Sequence, residues 1–333
     1  MILKGNTVLF DNPPIIVGSA GVVGKKEGEG PLSNDFDAIY DDTSMGEESY
    51  ELAESALMHN AIIRALSKSN TDISSVDFLM AGDLLNQCTS SCFAIKDLQI
   101  PFIGMYGACS TIALSISNAS MLIDAGANCC VASASSHFCS CERQFRYPLE
   151  YGGQRPPTAQ WTVTGAGSAV IKSYGSGVKI KAVHIGKIVD LGIKDANNMG
   201  AAMAPAAAQT IKEFFEDTHT NAENYDLILT GDLGFTGSQL LYEIMNKEYH
   251  YDIKNNHNDC GLMIFDLDKQ DVNSGGSGCG CGASVLCSHI IKQMNKGELN
   301  KVLFVATGAL LSTTSAKQGQ TIPGIAHAIL LEN

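Results

Sequence analysis

Short apolar runs alternate along this chain with longer segments whose apolar residues recur at helical spacing. Asp77-Phe-Leu-Met-Ala-Gly-Asp-Leu-Leu is a brief apolar run ending in Gly-Asp-Leu, and Asp226-Leu-Ile-Leu-Thr-Gly-Asp-Leu-Gly repeats it in the second half. An amphipathic stretch precedes each one, and the spacing predicts helices over about 47–67 and 205–217. The repeat continues. Gly107-Ala-Cys-Ser-Thr opens a predicted helix of small residues ending near Gly126, followed by the strand-like Cys129-Cys-Val-Ala-Ser-Ala. Gly280-Cys-Gly-Ala-Ser opens its counterpart ending near Gly297, followed by Val302-Leu-Phe-Val-Ala. Helices rich in Ala and Ser in matching places predict helices buried between layers, where long side chains do not fit. Strands alternating with helices imply an α/β fold with parallel or mixed sheets covered on both faces. Ser-Tyr-Gly-Ser-Gly breaks the pattern near 175–177, so the expected halves are 1–175 and 176–333.

Composition narrows the function. The 333 residues are 45% hydrophobic and 17% charged, ample for a large core. A formal net charge of −13 excludes nucleic acid as a natural partner unless basic residues are segregated. One basic cluster stands out, Arg143, Arg146 and Arg155. These arginines either pair with Glu142 and Glu150 or form an anion pocket. No run of 18 apolar residues exists, so no membrane span is expected. The first residues lack the apolar region of a signal peptide. The 11 cysteines form no framework, and reduced thiols in a cytoplasmic setting are the expectation.

Among those thiols Cys109 is the best placed. It follows the apolar run Phe102-Ile-Gly-Met and a glycine turn, at the start of its predicted helix. Backbone N–H groups there favour an anion and would lower a thiol pKa or bind a carboxylate. Cys139, Cys141, Cys279, Cys281 and Cys287 lack zinc-site spacing, so no metal site is expected. His257, in His-Asn-Asp-Cys-Gly, reads as a solvent-exposed loop residue, and the acidic run 35–54 as a solvated loop and helix start.

The duplicated halves, the Gly-Ala-Cys-Ser-Thr elbow and the late segment Asn273-Ser-Gly-Gly-Ser-Gly-Cys-Gly-Cys-Gly-Ala-Ser resemble the thiolase and ketoacyl-synthase superfamily. That resemblance implies a thiolase-like five-layer αβαβα fold, usually homodimeric, with Cys109 at the nucleophile's position. It also shows what is missing. Thiolases carry a histidine in Gly-His-Pro-x-Gly-Ala-Ser, where this chain has Cys279, and a second cysteine where it has Ala306. Condensation needs a base and an acid beside the nucleophile, so no enzyme is expected. The alternative is a ketoacyl-synthase III-like acyltransferase using Cys109 with His137 or His257 as base.

A closer resemblance rests on Asn12-Pro-Pro-Ile-Ile-Val-Gly-Ser-Ala-Gly-Val-Val-Gly-Lys-Lys-Glu-Gly, Ser136-His-Phe, the segment 142–159 and Thr162-Val-Thr-Gly-Ala-Gly. It is to the stage V sporulation protein AD family of spore-forming Firmicutes. That family implies binding of pyridine-2,6-dicarboxylate (dipicolinic acid), alone or as its calcium chelate, for uptake into the developing spore. It further implies work with membrane proteins of the same sporulation operon, a peripheral place at the spore inner membrane and no cofactor. A flat dianion needs an apolar slot and donors for two carboxylates, and the residues expected to line it are Cys109, His137, Arg143 and Arg146.

Overall fold

A computed structural model describes residues 1–145 and 154–333. Ten strands carry the architecture: β1 (Ile15–Gly24), β2 (Phe78–Gly82), β3 (Phe102–Gly104), β4 (Cys129–Ser136), β5 (Gly165–Lys172), β6 (Val178–His184), β7 (Leu227–Thr230), β8 (His257–Asp259), β9 (Lys301–Ala309) and β10 (Gly324–Glu332). Their order is β8-β7-β9-β10-β6-β1-β5-β4-β2-β3. From the centre outward each set of five follows the same path. In the first set β2 runs parallel to β3 and β4, and β5 runs antiparallel to β4 and β1. In the second, β7 runs parallel to β8 and β9, and β10 runs antiparallel to β9 and β6. Antiparallel pairing of β6 with β1 joins the two.

The helices make the remaining layers. α1 (Tyr50–Lys68) is capped by Ser49 Oγ, which accepts from Leu52 N at 3.3 Å. It buries Leu57, Met58, Ala61, Ile62 and Ala65 at helical spacing against β1 and β5. α2 (Thr89–Ile95) packs beside it. α3 (Thr111–Asp124) touches β2 and β4 on one side and β9 and β10 on the other, which is why it is built of Ile, Ala and Ser. α4 (Phe138–Phe145) follows β4 directly. α5 (Met199–Thr218) covers β9 and β10, with α6 (Gly234–Lys247) against it. It starts six residues before the expected Pro205, because Asn198 caps it by accepting from Ala201 N at 3.2 Å and the first two turns carry helix-forming alanines. α7 (Cys279–Val285) lies on β4 and β5. It passes through one π-helical turn, Leu286–Ile290, into α8 (Ile291–Asn295). Helix, sheet, the α3–α7 pair, sheet and helix are the five layers expected. No described helix is long and apolar enough to cross a membrane.

Candidate functional site

The elbow before α3 is set by close backbone packing. Gly82, at the end of β2, lies so near Met105 that an added Cβ would sit 1.8 Å from its carbonyl oxygen. Ala108 adopts φ 49°, a left-handed conformation costly for a residue with a Cβ. That strained turn directs Cys109 inward, with Ser110 at the cap position and Thr111 opening the helix. Across the molecule Gly278, at φ 106°, lets the chain turn into α7 against Ser136, whose Oγ would lie 2.7 Å from a Cβ there.

These two turns, one from each set of strands, meet at a chamber of about 30 Å³, room for a water or two. Leu84, Phe145, Met199, Ala309 and Leu311 supply its apolar side, and Tyr106, Cys109, Thr162 and Ser277 its neutral polar groups. Glu142 is the charged side chain among the described lining residues; its Oε1 accepts from Thr162 Oγ1 at 2.8 Å.

Behind Cys109 stands a buried acid, Asp232. Its carboxylate accepts from Ser277 Oγ at 2.8 Å, Gly278 N at 3.0 Å and Thr307 Oγ1 at 2.7 Å. Burial nevertheless raises its pKa. A second acid, Asp259, accepts from Thr230 Oγ1 at 2.6 Å, Leu233 N at 2.8 Å and Gly234 N at 2.9 Å, and burial pushes it up to about 7. The Cys109 Sγ lies 4.0 Å from Ser277 Oγ. Burial first, and the neighbouring Asp232 second, push its pKa well above the ordinary thiol value. The helix terminus expected to lower it is outweighed: a terminal dipole contributes about 1 kcal/mol, while taking a thiolate out of water costs several times more. Cys279, expected from the sequence at the histidine position of thiolases, donates its thiol to Ala108 O at 2.9 Å and so braces the elbow.

The other expected site residues do not converge on this chamber. His137 is fully buried. Its Nε2 bonds the Thr43 carbonyl at 2.8 Å, its Nδ1 accepts from Cys139 N at 3.1 Å, and the ring stacks on Tyr50. Burial lowers its pKa. It tethers the 43–50 segment to the start of α4. Arg143 is 57% exposed and pairs with Glu51, on the side of α4 away from the chamber. Arg146 lies outside the described residues. His257 is no exposed loop residue: it sits in β8, bonded to Thr230 Oγ1 and Tyr242 Oη at 2.9 Å each, with its pKa pushed down to about 3 by burial. The acidic run is not all solvated either. Glu54 is buried, accepts from Ser135 Oγ at 3.1 Å and Ser140 Oγ at 2.7 Å, and is pushed up to about 8 by burial and by Asp83. Among the described residues no group of three or more His, Cys, Asp or Glu side chains is disposed to hold a metal ion.

Sequence reasoning passed over Asp83 and Asp232 as functional groups, although both stand in the repeated Gly-Asp-Leu. A carboxylate placed twice at the end of a buried strand was the signal. Asp83 plays the matching part in the first set, accepting from Leu85 N at 2.9 Å and from Ser91 N and Oγ at 2.8 and 2.6 Å.

Comparison with known proteins agrees with this geometry. The backbone resembles the cerulenin-bound OleA of Xanthomonas campestris (TM-score 0.59, 14% identity, covering 98% of this chain and 100% of that one). It also resembles the 3-oxoacyl-[acyl-carrier-protein] synthase III of Aquifex aeolicus (0.57, 13%, 96% and 100%). Human mitochondrial 3-ketoacyl-CoA thiolase in complex with CoA is similar too (0.59, 10%, 97% and 98%). At such identities the likeness shows the thiolase-like fold. The stage V sporulation protein AD of Bacillus subtilis strain 168 is 48% identical over 334 residues, covering 100% of this chain and 98% of that one. The family described as Stage V sporulation protein AD matches residues 4–332. This chain therefore belongs to the stage V sporulation protein AD family.

Proposed function

We propose that this sporulation protein binds dipicolinic acid, alone or as its calcium chelate, in the Cys109 chamber for uptake into the developing spore, and that it catalyses no condensation. The observation that carries the reading is Cys109 itself: a thiol at the nucleophile's position, held protonated by burial beside Asp232. No histidine lines the chamber among the described residues. A protonated thiol is a poor nucleophile and an adequate hydrogen-bond donor. The apolar side suits a flat ring, and the Cys109 thiol, joined by the Thr162 and Ser277 hydroxyls as they turn from Glu142 and Asp232, suits carboxylate oxygens. Glu142 faces the same space, where the chelate's calcium would meet it in preference to a free dianion. His137 and Arg143 act from behind, through Thr43 and Glu51. We further propose a homodimer that reaches the spore inner membrane peripherally, through membrane proteins of the same operon.

Isothermal titration of the reduced protein with pyridine-2,6-dicarboxylate, with and without calcium, tests the reading. Saturable binding that disappears in Cys109→Phe, with the fold retained, is expected. Absence of heat under both conditions overturns it. Turnover of an acyl thioester would instead establish the acyltransferase alternative that the elbow geometry allows.

A further inference from the structure

The Cys109 chamber shares a wall with a second cavity. Leu84, Tyr106, Phe145 and Leu311 line both. The outer cavity is far larger, about 260 Å³ against about 30 Å³. Its remaining described wall is uncharged and mostly polar: Asn86, Gln87, Gln144, Ser312, Thr313 and Thr314. An aromatic dicarboxylate does not fit a space that holds one or two waters, so the four shared side chains must separate for such a ligand to reach Cys109.

The surroundings favour movement at this place. Gln87 and Cys88, between β2 and α2, are consecutive non-glycine residues with left-handed φ of 61° and 53°. Backbone held this way stores about 1–3 kcal/mol per residue and clusters at sites that change shape. Among the described residues only long hydrogen bonds clasp the turn to α4: Gln144 Nε2 donates to Leu84 O and to Asn86 Oδ1 at 3.3 Å each, and Asn86 N donates to Gln144 Oε1 at 3.4 Å. Tyr106 is 49% exposed. Yet it lines both cavities, and burial of its phenol end pushes its hydroxyl up to about 12. The ring therefore spans from solvent to the inner chamber.

We propose that the outer cavity is a first subsite for a small aromatic carboxylate and that Tyr106 and Phe145 form the neck it must pass to reach Cys109. Uncharged amides and hydroxyls replace the water around a carboxylate without fixing it in an ion pair, so the ligand is held and released inward. Behind it the apolar neck closes and excludes water. The identity of the ligand rests on the function proposed above; the neck does not.

Two measurements separate these. Tyr106→Ala and Phe145→Ala open the neck, so iodoacetamide modification of Cys109, followed by peptide mass spectrometry without ligand, speeds up by about tenfold or more. In surface-plasmon kinetics with pyridine-2,6-dicarboxylate, both rate constants rise together in Tyr106→Ala while Kd moves by less than about threefold. Thr313→Val, on the outer wall, slows association alone. Wild-type protein that binds the ligand, with neither thiol access nor rates altered by opening the neck, overturns the proposal. Faster Cys109 modification in a protein that binds no dicarboxylate keeps the neck and removes the ligand. A variant that alters Kd through dissociation only marks Tyr106 as a wall of the inner site and also overturns it. Exposed Tyr106 keeps the test interpretable should Phe145→Ala unfold.

Discussion

Asp232 is the keystone between the two elbows, and its removal has a calculable cost. Asp232→Ala takes away three hydrogen bonds at 2.7–3.0 Å from a fully buried site. The Ser277 and Thr307 hydroxyls can rotate toward other acceptors, but the Gly278 N–H is fixed by the φ of 106° and is left without its acceptor. One orphaned main-chain donor, two lost hydroxyl bonds and the space of a carboxyl group amount to roughly 3–6 kcal/mol. Asp232→Asn is different. Burial disfavours the charged form of Asp232, and an amide of the same shape leaves no charge to bury. Its oxygen keeps Ser277 and Gly278, and its NH₂ donates to Thr307, so the cost is below about 1 kcal/mol. Urea unfolding at pH 7 followed by circular dichroism measures both. An Asn variant as unstable as the Ala variant would show that an ionised carboxylate holds the elbows together, and an Ala variant within about 1 kcal/mol of the parent would refute the keystone role altogether.

Four further outcomes follow from the same geometry. Gly82→Ala places a Cβ 1.8 Å from the Met105 carbonyl oxygen, where backbone must shift, so its thermal midpoint falls sharply or no soluble protein is recovered. Glu54 keeps its proton in the folded state up to about 8 against 4.5 unfolded; the stability this contributes is complete below about pH 4.5 and is lost as pH rises toward 8, about 1.4 kcal/mol per pH unit. Glu54→Gln therefore flattens the fall in thermal midpoint between pH 6 and 8, and an unchanged slope would exclude Glu54 as its source. In the unmodified protein exposed Cys92 reacts with iodoacetamide at pH 7.5 well before buried Cys109, and the reverse order would mean an activated nucleophile and favour the acyltransferase reading. Arg143→Ala costs under about 1 kcal/mol in urea unfolding, because its partner Glu51 meets it at the solvent side of α4.

The alternation of strands and helices was legible along the chain because hydrophobic periodicity is local. The recurrence of Gly-Asp-Leu and of the small-residue helices marked the repeated strand order for the same reason. Cys109 could be singled out because a strand, a glycine turn and a helix are neighbours in sequence. What surrounds it was decided by tertiary packing. Asp232 reaches the elbow only because α3 and α7 sit back to back between the sheets, bringing residues 109 and 277 within 4.0 Å. His137 and Arg143 stand close to Cys109 in the order of elements, yet the path of α4 points one at Thr43 and the other at Glu51. Glu54 is indistinguishable in sequence from its solvated acidic neighbours, and only the serines of β4 and α4 enclosing it show that it is buried. Even the sign of the Cys109 pKa shift was beyond the sequence: a helix terminus is visible in one dimension, but burial, the larger force, exists only once the layers close.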